Sequence, residues 1–437
     1  MMPIHEFRMR EPFGPELSNF CLGRLMRSLF CLCGAVGILI ILCGGACTSE
    51  ANEDGPPFDV DRWLNGPDRE DFPWDVQASY PSLTLQQRYR VEIRVLFDGG
   101  GLRHSAIQHD LHFVLKVASG DSNWVPGYSH TRVPFPPQEY NFNVIDFSDS
   151  VYLRPGRYTI ALIVFDPILK KGNLWRKRVK VSPISGNILP ELDRDLPDIE
   201  FTSKERPLAE GKEWLPVKNS RSLCIDIVAN ISMDWHHERR LGVFYSASGR
   251  GWSSSPRVTS TDILQVASVL SHLGLRKGRV RVSIVDPLWM KTLFNREDAA
   301  VFDWQRASQV VEMRDPDTID IGLLVSKMQA SAYLVDKLQE ILKVGACAPG
   351  TESPLKIVIV VSTHMVFAKQ TVIRQVVPQD PASVRFFHFR IPKGIPADDD
   401  LYKMLKSANP QTITVADGLS FRKELAVLIS RLENLIH

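Results

Sequence analysis

LKIVIVVST, residues 355–363, is an apolar run broken by one lysine and ending in two hydroxyl residues. A short run rich in β-branched residues, with no polar alternation to mark a solvent side, suits a strand buried on both faces. LCIDIVANI (223–231) repeats the pattern with a single charge, and RVRVSIVDP (279–287), VRFFHFRIP (384–392) and QTITVAD (411–417) read as further strands, with MKTLFN (290–295) a short one. Helical patterns lie between them. TDILQVASVLSHLGL (261–275) has Thr261 or Asp262 as its cap; FDWQRASQVVEM (302–313), IGLLVSKMQASAYLVDKLQEILKV (321–344), DDDLYKMLKSAN (398–409) and LSFRKELAVLISRLENLIH (419–437) follow. Buried strands alternating with helices predict, over 221–437, a parallel sheet covered on both faces.

The character changes towards the N-terminus. Residues 186–220 are rich in proline and charge and read as an interdomain linker, with Trp214 and Leu215 as anchors should it instead be an ordered loop. Over 80–185 the pattern is short strands separated by turns. LTLQQRYRVEIRVLFDG alternates around Tyr89, Val91, Ile93 and Val95, LHFVLKVAS (111–119) follows, and Pro155-Gly156 turns the chain into GRYTIALIVFD. No helical stripe interrupts these, so a β-sandwich is expected. The last passage resembles the closing strands of bacterial immunoglobulin-like modules. Residues 48–79, acidic and rich in proline and tryptophan, read as a leader or linker.

Residues 1–47 carry an export signal. Leu29 to Cys47 holds no charge, Arg24 and Arg27 precede it, and Glu50, Glu53 and Asp54 follow it. Ionised groups are costly in hydrocarbon and basic flanks stay on the cytoplasmic side, so the chain after residue 50 is expected outside the cytoplasm: in the periplasm, at the outer membrane, or secreted. Small residues at Gly44, Gly45, Ala46, Ser49 and Ala51 suit signal peptidase. Gly44-Gly45-Ala46-Cys47 resembles a lipobox, in which Cys47 is the lipidated residue. Lipidation, cleavage and an uncleaved anchor stay open. The net charge of +2, with no basic run, argues against a nucleic-acid partner, which requires concentrated positive charge. Hydrophobic content of 44% and charged content of 23% are those of a globular chain. Beyond the signal only Cys224 and Cys347 remain, a pair that is either bridged or two buried small residues.

The order of elements after residue 220 resembles that of von Willebrand factor A domains, including secreted bacterial members of uncharacterised role. In that family the first strand ends in Asp-x-Ser-x-Ser; here LCIDIVANISMD ends in Asn230-Ile231-Ser232-Met233-Asp234. Thr318, in DPDTIDIG, falls where the family has its metal-binding threonine, 290–295 where it has an edge strand, and Ser362-Thr363-His364 where it has Thr-Asp-Gly. The resemblance implies a multidomain chain: an all-β, immunoglobulin-like sandwich followed by a three-layer α/β domain of VWA-like, Rossmann type. It also implies a degenerate metal set of Asn230, Ser232, Asp234 and Thr318. Magnesium requires hard oxygen ligands including carboxylate, so weak or no Mg²⁺ binding is expected, and no other cofactor. In the resembled fold the first and fourth parallel strands are neighbours, which puts Cys224 and Cys347 at the same edge of the sheet.

Other constellations carry less. His236-His237-Glu238 lacks the spacing that puts two histidines on one helix face. The stretch 241–260, with Phe244, Tyr245 and Trp252 among glycines and serines, lies beside the crevice where open α/β sheets bind ligands. It reads as a partner surface or as a flexible insertion. No nucleophile elbow, P-loop or dinucleotide fingerprint occurs. The expected function is non-enzymatic: an exported protein binding another envelope or exported protein, membrane-anchored through its N-terminus or released. The alternative is an extracytoplasmic enzyme with its chemistry at 230–234, 286, 318 and 362–364.

Overall fold

The computed structural model describes residues 55–98, 108–121, 123–135, 144–184, 189, 197–201, 215–232, 260–312, 322–343, 354–365, 373–392 and 399–435. Residues 56–437 form one compact unit.

Its first half begins with helix α1 (Val60–Leu64) and holds strands β1 (Arg69–Glu70), β2 (Trp74–Ala78), β3 (Ser82–Leu83), β4 (Tyr89–Asp98), β5 (His109–Ser119), β6 (Asn123–Trp124), β7 (Ser129–Phe135), β8 (Val144–Leu153), β9 (Gly156–Asp166), β10 (Lys171–Val181) and β11 (Ile199–Phe201). One sheet runs β1-β10-β9-β5-β6 with β7 added on β5; the other runs β11-β8-β4-β2 with β3 on β4. Alternation decides which side chains meet between them. Val91, Ile93, Val95 and Phe97 of β4 and Leu111, Phe113, Leu115 and Val117 of β5 join Ile160, Leu162 and Val164 of β9 in one core. GRYTIALIVFD reads as continuously apolar because its other face is covered too. Ala161 and Ile163 pack with Val60 and Leu64 of α1, and Phe58 and Trp63 lie against them. The Asp59 carboxylate starts α1 by accepting from the Arg62 amide at 3.0 Å.

The second half adds β12 (Leu215–Val217), β13 (Leu223–Asn230), helix α2 (Ser260–Ser271), β14 (Leu273–Leu275), β15 (Gly278–Asp286), β16 (Lys291–Asp298), α3 (Trp304–Glu312), α4 (Gly322–Lys343), β17 (Leu355–Thr363), β18 (Val384–Ile391), α5 (Asp400–Leu405), β19 (Gln411–Thr414) and α6 (Gly418–Asn434). A mixed sheet runs β16-β15-β13-β17-β18-β19, with β16 an antiparallel, bulged edge. Residues of α2, α3 and α6 share an apolar cluster with one face of it, and residues of α4 and α5 with the other.

The expected fold class is corrected by this architecture. A sandwich followed by a self-contained three-layer α/β domain of VWA-like, Rossmann type is not the class of the molecule. Among the described residues strand outweighs helix, 46% against 26%, and the fold is mainly β. Ten of the fifteen strand pairings among the described residues are antiparallel. The reason lies in strands that periodicity did not reveal. SHTRVPF (β7), the first residues of β8 and the short β1, β2, β11 and β12 carry polar residues or proline, and β14 (LGL) is only three residues long. They are held by backbone ladders, which need no apolar side chain.

The stretches read as leader and linker are built into the molecule. Phe72 is buried in the sandwich core, β11 pairs with β8, β12 pairs in parallel with β14, and Leu215 is fully buried. The start of α6 closes on the β3–β4 turn. Gln87 Nε2 donates to the Gly418 carbonyl at 3.0 Å, and Arg422 reaches Gln87 Oε1 and the Leu189 carbonyl, both at 3.4 Å. A Cβ at Gly418 would stand 2.3 Å from the carbonyl oxygens of both Leu83 and Thr84, and those are backbone atoms. Gly418→Ala is therefore expected to destabilise the chain by about 3 kcal/mol, the upper range for overpacking. Urea unfolding checks this, and an unchanged midpoint would show that the turn yields freely.

Candidate functional site

Polar residues gather where β13, β15 and β17 end. Asn230 closes β13, fully buried; its Oδ1 accepts from the Ser232 amide at 3.1 Å and its Nδ2 lies 2.7 Å from Met365 Sδ. Ser232 Oγ donates to Asp286 Oδ1 at 2.7 Å and accepts from the Leu288 amide at 3.1 Å. Asp286 closes β15, and the Trp289 amide also reaches its Oδ1, at 3.4 Å. The strands end here in short polar side chains, each anchored by a neighbouring loop amide.

Ser362 and His388 form a second pair. Both are fully buried, and Ser362 Oγ lies 2.9 Å from His388 Nε2. Val360 of β17 is the register partner of His388 on β18, so the imidazole stands one pleat from the serine on the same face. Burial pushes the His388 pKa down to about 3, and the Arg390 guanidinium adds to the shift. No carboxylate backs the ring, since its Nδ1 has no hydrogen-bond partner among the described residues. An imidazole so weakly basic is a poor acceptor for a serine proton at neutral pH. Asp399, which caps α5, accepts from the Leu401 amide at 3.2 Å and the Met365 amide at 3.4 Å. Through Met365 it ties this loop to Asn230.

Of the residues expected to hold metal, the structure brings Asn230 and Ser232 together and adds Asp286. Asp234 and Thr318 lie outside the described residues, as do the aromatic stretch 241–259, His236, His237, Cys47 and Cys347. Among the described residues there is no group of three or more histidine, cysteine, aspartate or glutamate side chains arranged to hold a metal ion. Thr363 Oγ1 donates to the carbonyl of His364 at 3.3 Å. His388 and Asp399 were not singled out from the sequence. The only signal for the first is a histidine inside the apolar run VRFFHFRIP. Cys224 is disulfide-bonded, and its partner lies outside the described residues.

No family model matches the chain, and no curated protein matches it. Among solved structures it is similar to a β-glucosidase, EmGH1, from Erythrobacter marinus, at 20% identity over 25% of this chain and 15% of that one, TM-score 0.16. It is also similar to a glycosyl hydrolase family 2 member from Bacteroides cellulosilyticus, at 9% identity over 78% and 45%, TM-score 0.19. A family 123 glycoside hydrolase from Clostridium perfringens matches at 7% identity over 78% and 72%, TM-score 0.24. The chain thus spans less than half the length of the first two. Likenesses at these scores carry no argument about fold or activity.

Proposed function

We propose that the chain is an exported protein that works outside the cytoplasm by binding another envelope or exported protein, not by catalysis. The observation that carries the reading is the engagement of the crevice groups with one another. Ser232 is spent on Asp286, Asn230 on Ser232 and Met365, and Ser362 faces a buried, weakly basic imidazole. The charge-free run at 29–47 with its basic and acidic flanks supports export, and the disulfide at Cys224 suits an oxidising compartment. Anchorage through the N-terminus, by lipid at Cys47 or by the apolar run itself, belongs to the same reading.

Affinity capture of the full chain from envelope extract, followed by mass spectrometry, tests it. A stable partner is expected, retained in the presence of a chelator and unaffected by Asn230→Ala or Asp234→Ala. A partner lost on chelation would move the function to a metal-dependent surface. Turnover of an envelope substrate abolished by Ser232→Ala, with no partner captured, would favour the enzyme reading. By calorimetry, Mg²⁺ is expected to bind weakly or not at all, and tight chelator-reversible binding would overturn the degenerate ligand set.

A further inference from the structure

Two histidines face one another across β5 and β7. His130 is the register partner of Val114, which makes it the diagonal neighbour of His112 on the same face of the sheet. His112 Nδ1 lies 3.0 Å from His130 Nε2, and the two rings are within 10° of parallel. Two imidazole nitrogens on one zinc ion, at the usual bond length and at an angle between right and tetrahedral, stand about 2.9–3.4 Å apart. The rings are therefore already spaced as ligands of a single ion. The β5–β7 ladder, from His109 opposite Phe135 to Leu115 opposite Ser129, sets that spacing with no metal present. One side of the pair is dry. His112 stands opposite Phe165 of β9, against which Phe58 and Trp63 pack with ring centroids 4.7 and 5.7 Å away. On the other side β7 pairs with β5 alone among the described residues, and His130 is only half-buried, so an ion enters from that edge. Burial lowers the pKa of both rings, and neutral imidazole is the form that binds a metal. Asp110 lies two residues before His112 on the same face. Its Oδ2 accepts from the Arg132 guanidinium at 2.6 Å, which offsets that cation, and its buried Oδ1 has no hydrogen-bond partner among the described residues.

We propose that His112 and His130 form a cross-strand chelate for a divalent ion of the zinc, nickel and copper class, with water at its remaining positions. Imidazole suits these ions, whereas magnesium and calcium take oxygen ligands. Among the described residues Asp110 does not complete a set of three metal-holding side chains, so the protein supplies two ligands and the site stays open. Binding needs no net loss of a proton. The ring that donates in the N–H···N contact moves its proton to its other nitrogen, and both facing nitrogens then offer a lone pair to the ion. The ion ties β7 to β5 and favours the folded state, in which the ladder brings the two rings together. The site lies in the sandwich, apart from the Asn230, Ser232 and Asp286 crevice, and does not depend on what that crevice does.

The test uses the full chain in detergent with His236→Gln and His237→Gln, so that the adjacent histidines there do not contribute. The protein is dialysed to equilibrium against Zn²⁺ at neutral pH, and zinc per chain is counted by elemental analysis. His112→Gln and His130→Gln in the same background are each expected to hold one ion fewer per chain. Zn²⁺ is also expected to raise the urea midpoint of the background and to leave the midpoints of the two variants nearly where they were. Equal zinc counts in the background and either folded variant overturn the proposal and leave the pair a hydrogen bond only. Should His112→Gln fail to fold, His130→Gln, at the less buried ring, carries the comparison with the same expected loss.

Discussion

Asp226→Asn is expected to lower the stability of the chain by about 3–5 kcal/mol, the cost of leaving buried charge without its partner. The carboxylate is the anion shared by Arg281, Arg296 and Lys356, whose side chains are 13%, 10% and 11% exposed. The lysine already registers the strain. Burial draws its pKa down to about 8 against the pull of Asp226, and the two guanidinium groups add to the shift. Without the carboxylate, three cations share one low-dielectric site and water cannot reach them freely. Lys356 Nζ also donates to the Ile341 carbonyl near the end of α4. Asp121 is the control. Its ion pair with Arg178 joins side chains 72% and 80% exposed, and Asp121→Asn should leave the urea midpoint where it was. A midpoint for Asp226→Asn within error of the wild type would show that the cluster is solvated and that its burial has no energetic consequence.

The same residue shows what was legible in the sequence. The strand LCIDIVANI was plain because β13 is buried on both faces, and a continuous β-branched run of that length suits little else. LKIVIVVST was plain for the same reason and occupies β17 at Leu355–Thr363. The lone aspartate in the first run and the lone lysine in the second were visible only as single charges in apolar strands, and nothing in the sequence paired them. The arginines that join them stand on β15 and β16, and one-dimensional spacing does not place Arg296 opposite Asp226. The site's lower half was half-legible in the same way. Asn230 and Ser232 meet by adjacency, while Asp286 joins them only because β13 and β15 pair in register, Asn230 opposite Val285. The fold class failed on different ground. Strands such as β7 and β11 put few apolar residues on the core, Val133 from the first and Ile199 and Phe201 from the second, too few to show as a periodic run, and their membership is decided by ladders to β5 and β8. The resemblance that organised the second half rested on element order, and order does not report how much strand the rest of the chain contributes.

Acid is expected to unfold the protein through His388. The imidazole is fully buried, with burial and then Arg390 holding its pKa at about 3. In the unfolded chain a histidine titrates near 6.5. Between those values the unfolded state binds a proton that the folded state refuses, so stability is full above about pH 6.5 and falls as pH drops towards 3. The linkage relation sets the loss at about 2 kcal/mol by pH 5, with a further 1.4 kcal/mol or so for each pH unit below that until the folded pKa is neared. His112 and His130 pull in the same direction, since burial lowers both, and for His112 the charges of His130 and Arg132 add to it. The wild-type slope alone therefore does not isolate His388. The difference from His388→Gln does. Glutamine keeps a polar partner for Ser362 Oγ but cannot titrate. The variant is expected to start less stable at pH 7, because the ring's packing against β17 is lost, and then to lose less as the pH falls. Urea unfolding at pH 7, 6, 5 and 4.5 for both proteins gives the two slopes, and parallel lines would mean that His388 takes up its proton without unfolding the sheet.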